Sequence, residues 1–156
     1  MLTKAEIQKI ADEVLKELRS DFEEKVYQEA FLVELRTRGY EYDRERVIPV
    51  LYKARQVGVV KADVVARNGS EEVMLELKVS ADDVNDRIKN ELRAYLRAIH
   101  RSQPPHSGVQ RKAFVVIFPC TSTKRKAPKS PERAYVEEVS TSSVEEAIAS
   151  EPLGRV

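Results

Sequence analysis

Three residues on two extended segments have the types and spacing to do chemistry: Asp63 in VKADVV, and Glu76 and Lys78 in VMLELKVS. In the second segment Val73, Leu75, Leu77 and Val79 alternate with Met74, Glu76, Lys78 and Ser80, the period of a strand with one face toward a core. Asn68-Gly69 between the segments is a hairpin turn signal. A two-residue loop sets Asp63 opposite Met74 with Glu76 diagonal to it. A loop of Asn68 to Glu71 sets Asp63 directly opposite Glu76. Either even loop puts Asp63, Glu76 and Lys78 on one face, with Val60, Ala62, Val64, Val73, Leu75 and Leu77 on the other.

Two carboxylates this close repel each other unless a proton or a cation sits between them. Mg²⁺ is commonly held by one or two carboxylates, its shell completed by waters and phosphate oxygens. An ion so held lowers the pKa of a bound water and stabilises charge growing on a phosphate. A lysine beside it can position the attacking water or offset transition-state charge. The combination suits phosphodiester hydrolysis. The competing interpretation is a set of cross-strand ion pairs, Lys61, Asp63, Glu76 and Lys78, on a solvent-exposed sheet face.

The surrounding elements must position these groups. Thr3 and Glu6 have capping-box spacing, and Ile7, Ile10, Val14 and Leu18 follow at helical intervals, predicting a helix over 1–20. Asp21 is the expected N-cap of a second helix with Phe22, Val26, Ala30 and Val33 on its apolar face and Gly39 as its stop. RVIPVLYKARQVG predicts a strand and turn, with Pro49 favouring a sheet edge or bulge. Val84, Ile88, Leu92, Tyr95 and Ile99 predict a long amphipathic helix from Asp82 to about Arg101, and Pro104-Pro105 ends it. KAFVVIFP predicts a buried strand, AYVEEV a last strand and SVEEAIA a short closing helix. The order describes a mixed α/β sheet covered by helices.

The 156 residues predict one domain, residues 1–156, and 42% apolar composition supplies its core. No apolar run is long enough to span a bilayer, so no membrane partner is expected. One cysteine, Cys120, excludes an intrachain disulfide and a CxxC zinc site, and points to a reducing intracellular compartment, cytoplasm or nucleus. The net charge of +1 conceals a split: Arg87 to Arg133 holds 12 Lys or Arg against Glu91 and Glu132, net +10, which leaves −9 on the rest. A polyanionic partner fits the basic stretch. Lys89, Arg93 and Arg97 recur at helical spacing and could track a phosphate backbone; Lys124, Arg125 and Lys126 lie in TSTKRKAPKSPER, expected to be a mobile basic loop over 121–133. Solvated surface is the competing account of both groups.

Asp63, twelve intervening residues and then Glu-Leu-Lys, on adjacent strands after a helix, resembles the PD-(D/E)XK nuclease superfamily. The pattern is closest to its GxxExxY group. The helix motif stands here as DFEEKVYQEAF, followed by VIPVLYK, VKADVV, LELKV and AYLRAI, from about Asp21 to Pro119. Asp21 replaces the motif glycine, Ala62 stands where the superfamily name has proline, and Glu91 and Ala94 replace a glutamine and an asparagine.

The resemblance implies a restriction-endonuclease-like core in the order αβββαβ. It makes Asp63 and Glu76 metal ligands, Lys78 the catalytic lysine beside the nucleophilic water, Glu24 the motif glutamate that assists catalysis, and Tyr27 the motif tyrosine. Asp21-x-x-Glu24 is also capping-box spacing, which leaves a structural account of Glu24 open. The expected function is a Mg²⁺-dependent nuclease, with Mn²⁺ able to substitute, that cuts phosphodiester bonds in nucleic acid, DNA foremost. The alternative is an inactive nuclease-fold module that binds nucleic acid or a protein. Oligomeric state is open, homo-oligomers included.

Overall fold

The computed structural model describes residues 1–80, 86–120 and 133–139. The predicted start of the third helix at Asp82, Val84, the closing helix, and Lys124, Arg125 and Lys126 of the basic loop all lie outside the described residues.

Helix α1 spans Lys4–Leu18. Thr3 caps it, its hydroxyl oxygen accepting from the Glu6 N–H (3.2 Å), and Ile7, Ile10, Ala11, Val14 and Leu15 are buried. Helix α2 spans Glu24–Thr37. The strands β1 (Glu41–Tyr52), β2 (Arg55–Arg67), β3 (Glu71–Ser80), β4 (Gln110–Pro119) and β5 (Tyr135–Val139) form one sheet in the order β1-β2-β3-β4-β5. Helix α3, Asp86–Ser102, connects β3 to β4, which is the one parallel pair; the other pairs are antiparallel. A parallel neighbour requires such a crossover, and a helix supplies it.

The core has two layers. Between the sheet and α1–α2 lie Tyr27, Phe31, Leu35, Leu75, Phe114 and Phe118, among others. Between the other face and α3 lie Ile48, Met74, Leu92, Leu96, Val115 and Ile117.

Two expectations are corrected. Helix α2 does not start at Asp21: its N-cap is Glu23, without a side-chain cap, and Asp21 takes φ 81° in the turn before it. Its buried face is Tyr27, Phe31, Leu32 and Leu35, whereas Phe22, Val26 and Val33 are exposed and Ala30 reaches the core only at its rim. The packing of Tyr27 flat on Phe118, centroids 4.8 Å apart, fixes this rotation. Second, Val60 and Ala62 do not share a face with Val64: Ala62 is buried on the α3 side with Val60 packed beside it, while Val64 and Ala66 are buried on the α1–α2 side. Strand β2 therefore changes face at Asp63. Opposite it, Glu45 of β1 has φ 46°, and the pairs Arg44↔Val64 and Arg46↔Ala62 flank the break.

Candidate active site

The β2–β3 register is the wider of the two possibilities: Arg67 pairs with Glu72 and Val64 with Leu75. The turn is held by the Asn68 side chain, whose Oδ1 accepts from the N–H groups of Ser70 and Glu71 (3.0 Å each). One further step along that register sets Asp63 opposite Glu76, where side chains take over from the ladder. The Asp63 N–H donates to Glu76 Oε1 (3.2 Å), and the Leu77 N–H donates to Asp63 Oδ2 (3.0 Å). Each carboxylate is thus fixed by the backbone of the other's strand.

Glu76 is only 2% exposed. Burial, then the charge of Asp63, pushes its carboxyl up to about 8, although the Asp63 N–H and Lys78 work in the opposite direction. Lys78 Nζ lies 3.8 Å from Glu76 Oε2. Burial alone would lower Lys78, but Asp63, Glu76, Glu24 and Glu91 outweigh it and hold the ammonium above its ordinary value. Lys78 is therefore a fixed cation among acids rather than a base.

Glu24, at the start of α2, reaches across to β3 and accepts from the Val79 N–H (3.0 Å). The capping-box account of Glu24 does not hold, because its carboxylate points to the sheet and not back to Asp21. Four residues on, Gln28 Nε2 donates to the Leu77 carbonyl (3.2 Å), so α2 grips β3 on both sides of Lys78. The Tyr27 hydroxyl donates to the Arg19 carbonyl and accepts from the Phe22 N–H (3.3 Å), pinning the turn that aims Glu24. Gln28 was not singled out by sequence; its one signal is the i, i+4 spacing from Glu24.

Helix α3 supplies the opposite wall. Tyr95 donates to Glu91 Oε1 (2.6 Å); burial, that bond and the charges of Glu91, Glu76 and Asp63 raise its phenol well above the usual range. A cleft of about 380 Å³ opens between α2 and β2, lined by Glu24, Glu29, Glu45 and Asp63 together with Lys25 and Arg44. Arg44 is held by Glu29 (2.9 Å).

The structure thus brings Asp63, Glu76, Lys78 and Glu24 together. Of the basic residues on α3, Lys89 is tied to Glu137 of β5 (2.5 Å), Arg93 donates to Asn90 (3.0 Å), and Arg97 has no ion pair among the described residues.

Among the described residues no cluster of three or more His, Cys, Asp or Glu converges in metal-ligand geometry. The pair Asp63–Glu76 offers two carboxylates. Such a donor set fits a hard cation that fills its shell with waters and phosphate oxygens, as Mg²⁺ does. It does not fit a closed structural zinc site.

A mixed sheet between helices, with two facing carboxylates and a lysine where two strands part, defines a nuclease-type α/β domain. A family model described as the PD-(D/E)XK nuclease superfamily matches residues 2–104, about two thirds of the chain. The chain belongs to that superfamily, and its architecture is consistent with a restriction-endonuclease-like fold. The matched span holds Glu24, Asp63, Glu76, Lys78 and all of α3. Nucleases of this superfamily generally use divalent metal ions and bind nucleic acid. No curated protein matches the chain. No helix among the described residues is long and apolar enough to cross a membrane.

Proposed function

We propose that this protein is a Mg²⁺-dependent nuclease that hydrolyses phosphodiester bonds in DNA, with Mn²⁺ able to replace Mg²⁺. The observation that carries the proposal is the Glu76 carboxylate, 2% exposed and raised to about 8 against Asp63, with the Lys78 ammonium 3.8 Å away. A buried glutamate facing a half-buried aspartate is poorly suited to a purely structural ion pair and well suited to a cation delivered with a phosphate.

Asp63 and Glu76 would hold the ion, which supplies an activated water and charge stabilisation at the phosphorus. Lys78 stays protonated beside them and offsets negative charge on the pentavalent phosphate. Glu24 and Gln28 fix the β3 backbone on either side of Lys78, so the ammonium keeps its aim.

The turn before α2 supports assignment to the GxxExxY group. Asp21 stands at φ 81°, the left-handed region that favours glycine, where that pattern has glycine. Tyr27 closes the same turn, which gives the motif tyrosine a positioning role.

A second reading, binding without cleavage, draws on Glu91. It adds an acid to the field around Lys78 where the group's pattern has a neutral glutamine. Incubation with supercoiled DNA in Mg²⁺, Mn²⁺, Ca²⁺ or EDTA decides between them. Nicking or linearisation in Mg²⁺ and Mn²⁺, with binding alone in Ca²⁺, is expected. Retention of intact DNA in every metal, on duplex, branched and single-stranded substrates, would leave the binding module.

A further inference from the structure

Every residue from Tyr52 to Val59 is exposed, yet the segment is paired hairpin, broken only by a bulge at Val57 where the register shifts between Val50 and Leu51. Its turn is Lys53-Ala54, with φ 47° and 63°, the two left-handed residues of a turn that matches strand twist. The inner face is anchored: Ile48 is buried against α3, and Val50 and Val60 pack beside it. The outer face and tip are free, with Val47 and Val59 about half exposed and Tyr52 and Val57 more so. Between Val47 and Ala62 the chain carries Lys53, Arg55 and Lys61 and no acid. Lys53 lies over the Tyr52 ring, 5.5 Å from its centroid, and none of the three bases has an ion pair among the described residues.

We propose that the β1–β2 hairpin is a DNA-docking arm that enters the major groove of a B-form duplex beside the carboxylate site. What is done to the DNA rests on the nuclease reading; the docking itself does not. A two-stranded ribbon fits the B-form major groove, about 12 Å wide, whereas the A-form groove of RNA is too deep and narrow to admit one. Lys53, Arg55 and Lys61 supply charge for the flanking phosphates, and Val57 and Val59 present methyl groups of the kind that meet thymine methyls.

The arm is continuous with the site. Lys61 precedes Asp63 by two residues on β2 and Arg55 by eight, so at about 3.3 Å per residue the tip lies roughly 26 Å from the carboxylates, seven or eight base pairs along a duplex. Pairing of the β1 edge with a second copy is the competing occupant. Pro49 removes a donor from that edge and so breaks the run of hydrogen bonds such a pairing needs.

The test is anisotropy of a labelled duplex of about 20 base pairs in metal-free buffer, titrated with wild type and with the double variant Lys53→Glu/Arg55→Glu at several salt concentrations. Duplex affinity should fall at least about tenfold and the salt slope should become shallower by about 2, since two phosphate contacts are lost. Binding of single-stranded DNA and of duplex RNA should change by less than about twofold, because neither presents the groove. An unchanged thermal melt separates this from misfolding, and the milder Lys53→Ala/Arg55→Ala variant should show the same ranking of substrates. Unchanged duplex affinity overturns the arm, as does an equal loss on all three nucleic acids. So does a wild-type dimer in sedimentation that the double variant dissolves. Arm-dependent binding by a wild type that never cuts would remove the nuclease reading and leave the arm. Metal-dependent cutting with arm-independent binding would do the reverse.

Discussion

Asp63 and Glu76 each take a hydrogen bond from the other's strand: the Asp63 N–H donates to Glu76 Oε1, and Leu77, next to Glu76, donates its N–H to Asp63 Oδ2. The two bonds hold the acids face to face at the point where β2 leaves the regular ladder. Their proximity is thus set by the backbones of both strands. The same break turns Val60 and Ala62 toward α3 and carries the rest of β2 out into the arm. Site and arm therefore share one structural cause.

Removing either functional charge should abolish chemistry before it weakens binding. Glu76→Gln keeps shape and an acceptor for the Asp63 N–H, and Lys78→Ala leaves both carboxylates. Each should lower Mg²⁺-dependent cleavage at least about a hundredfold, as one electrostatic group is commonly worth about 3–4 kcal/mol of barrier. Metal-free DNA affinity at neutral pH should hold in Glu76→Gln, because Glu76 without metal already carries a proton there. Cleavage unchanged by both substitutions would place the activity elsewhere.

Glu24 tests structure against charge. Glu24→Gln can still accept from Val79, so its melting temperature should stay within about 1 °C, while cleavage falls if the carboxylate charge matters. Glu24→Ala strands the Val79 N–H and should cost about 1–2 kcal/mol, or about 2–8 °C. Equal melting temperatures for the two variants would contradict the hydrogen bond as the link between α2 and β3.

Tyr27→Phe keeps the ring stacked on Phe118 and deletes only the hydroxyl that joins Arg19 to Phe22. Loss of about 1–2 kcal/mol is expected, with faster amide exchange at Phe22. Unaltered exchange there would mean that the turn is held by other contacts.

The sequence made the hairpin legible because Asn68 allows few registers, and every even one keeps Asp63 and Glu76 on the same face. A continuous apolar run likewise exposed β4, and helical spacing exposed Leu92, Tyr95 and Ile99 of α3. The rotation of α2 was not legible: apolar residues lie on two stripes, Phe22–Val26–Val33 and Tyr27–Phe31–Leu35, and hydropathy has no preference between them. Stacking of Tyr27 on Phe118, some ninety positions away, decides it. The change of face at Asp63 was hidden for a different reason. It depends on Glu45 at φ 46°, and no glycine marks that position. The start of β1 at Glu41 was masked by the charges of EYDRER, which resemble a loop.

On α3 the basic residues should separate in function. Lys89 is committed to Glu137, so Lys89→Ala should alter stability slightly and DNA affinity little. Arg93→Glu and Arg97→Glu should weaken DNA binding and flatten its salt dependence without changing sequence preference. Electrophoretic mobility shifts at two ionic strengths would show it, and an equal effect of all three substitutions would mean a general field rather than contacts at Arg93 and Arg97.

Stability should fall as pH rises through the titration of Glu76, and a divalent ion should reverse the fall. The folded protein holds the Glu76 proton up to about 8, against 4.5 for an ordinary glutamate. Between those values the folded state binds more protons than the unfolded state, so unfolding free energy decreases with pH. The contribution is fully present below about 4.5 and is lost as pH rises through about 8, on the order of a few kcal/mol in all. An ion at the pair needs Glu76 ionised, so it competes with that proton. Millimolar Mg²⁺ or Ca²⁺ should therefore raise the melting temperature little at pH 5 and by several degrees at pH 8, at about 2–4 °C per kcal/mol. Glu76→Gln carries no such proton; its melting temperature should lose this pH dependence and most of the metal shift. Differential scanning fluorimetry across that range, with and without metal, reads both effects. A metal shift of equal size at pH 5 and pH 8, or one retained in Glu76→Gln, would mean that the ion binds somewhere other than between Asp63 and Glu76.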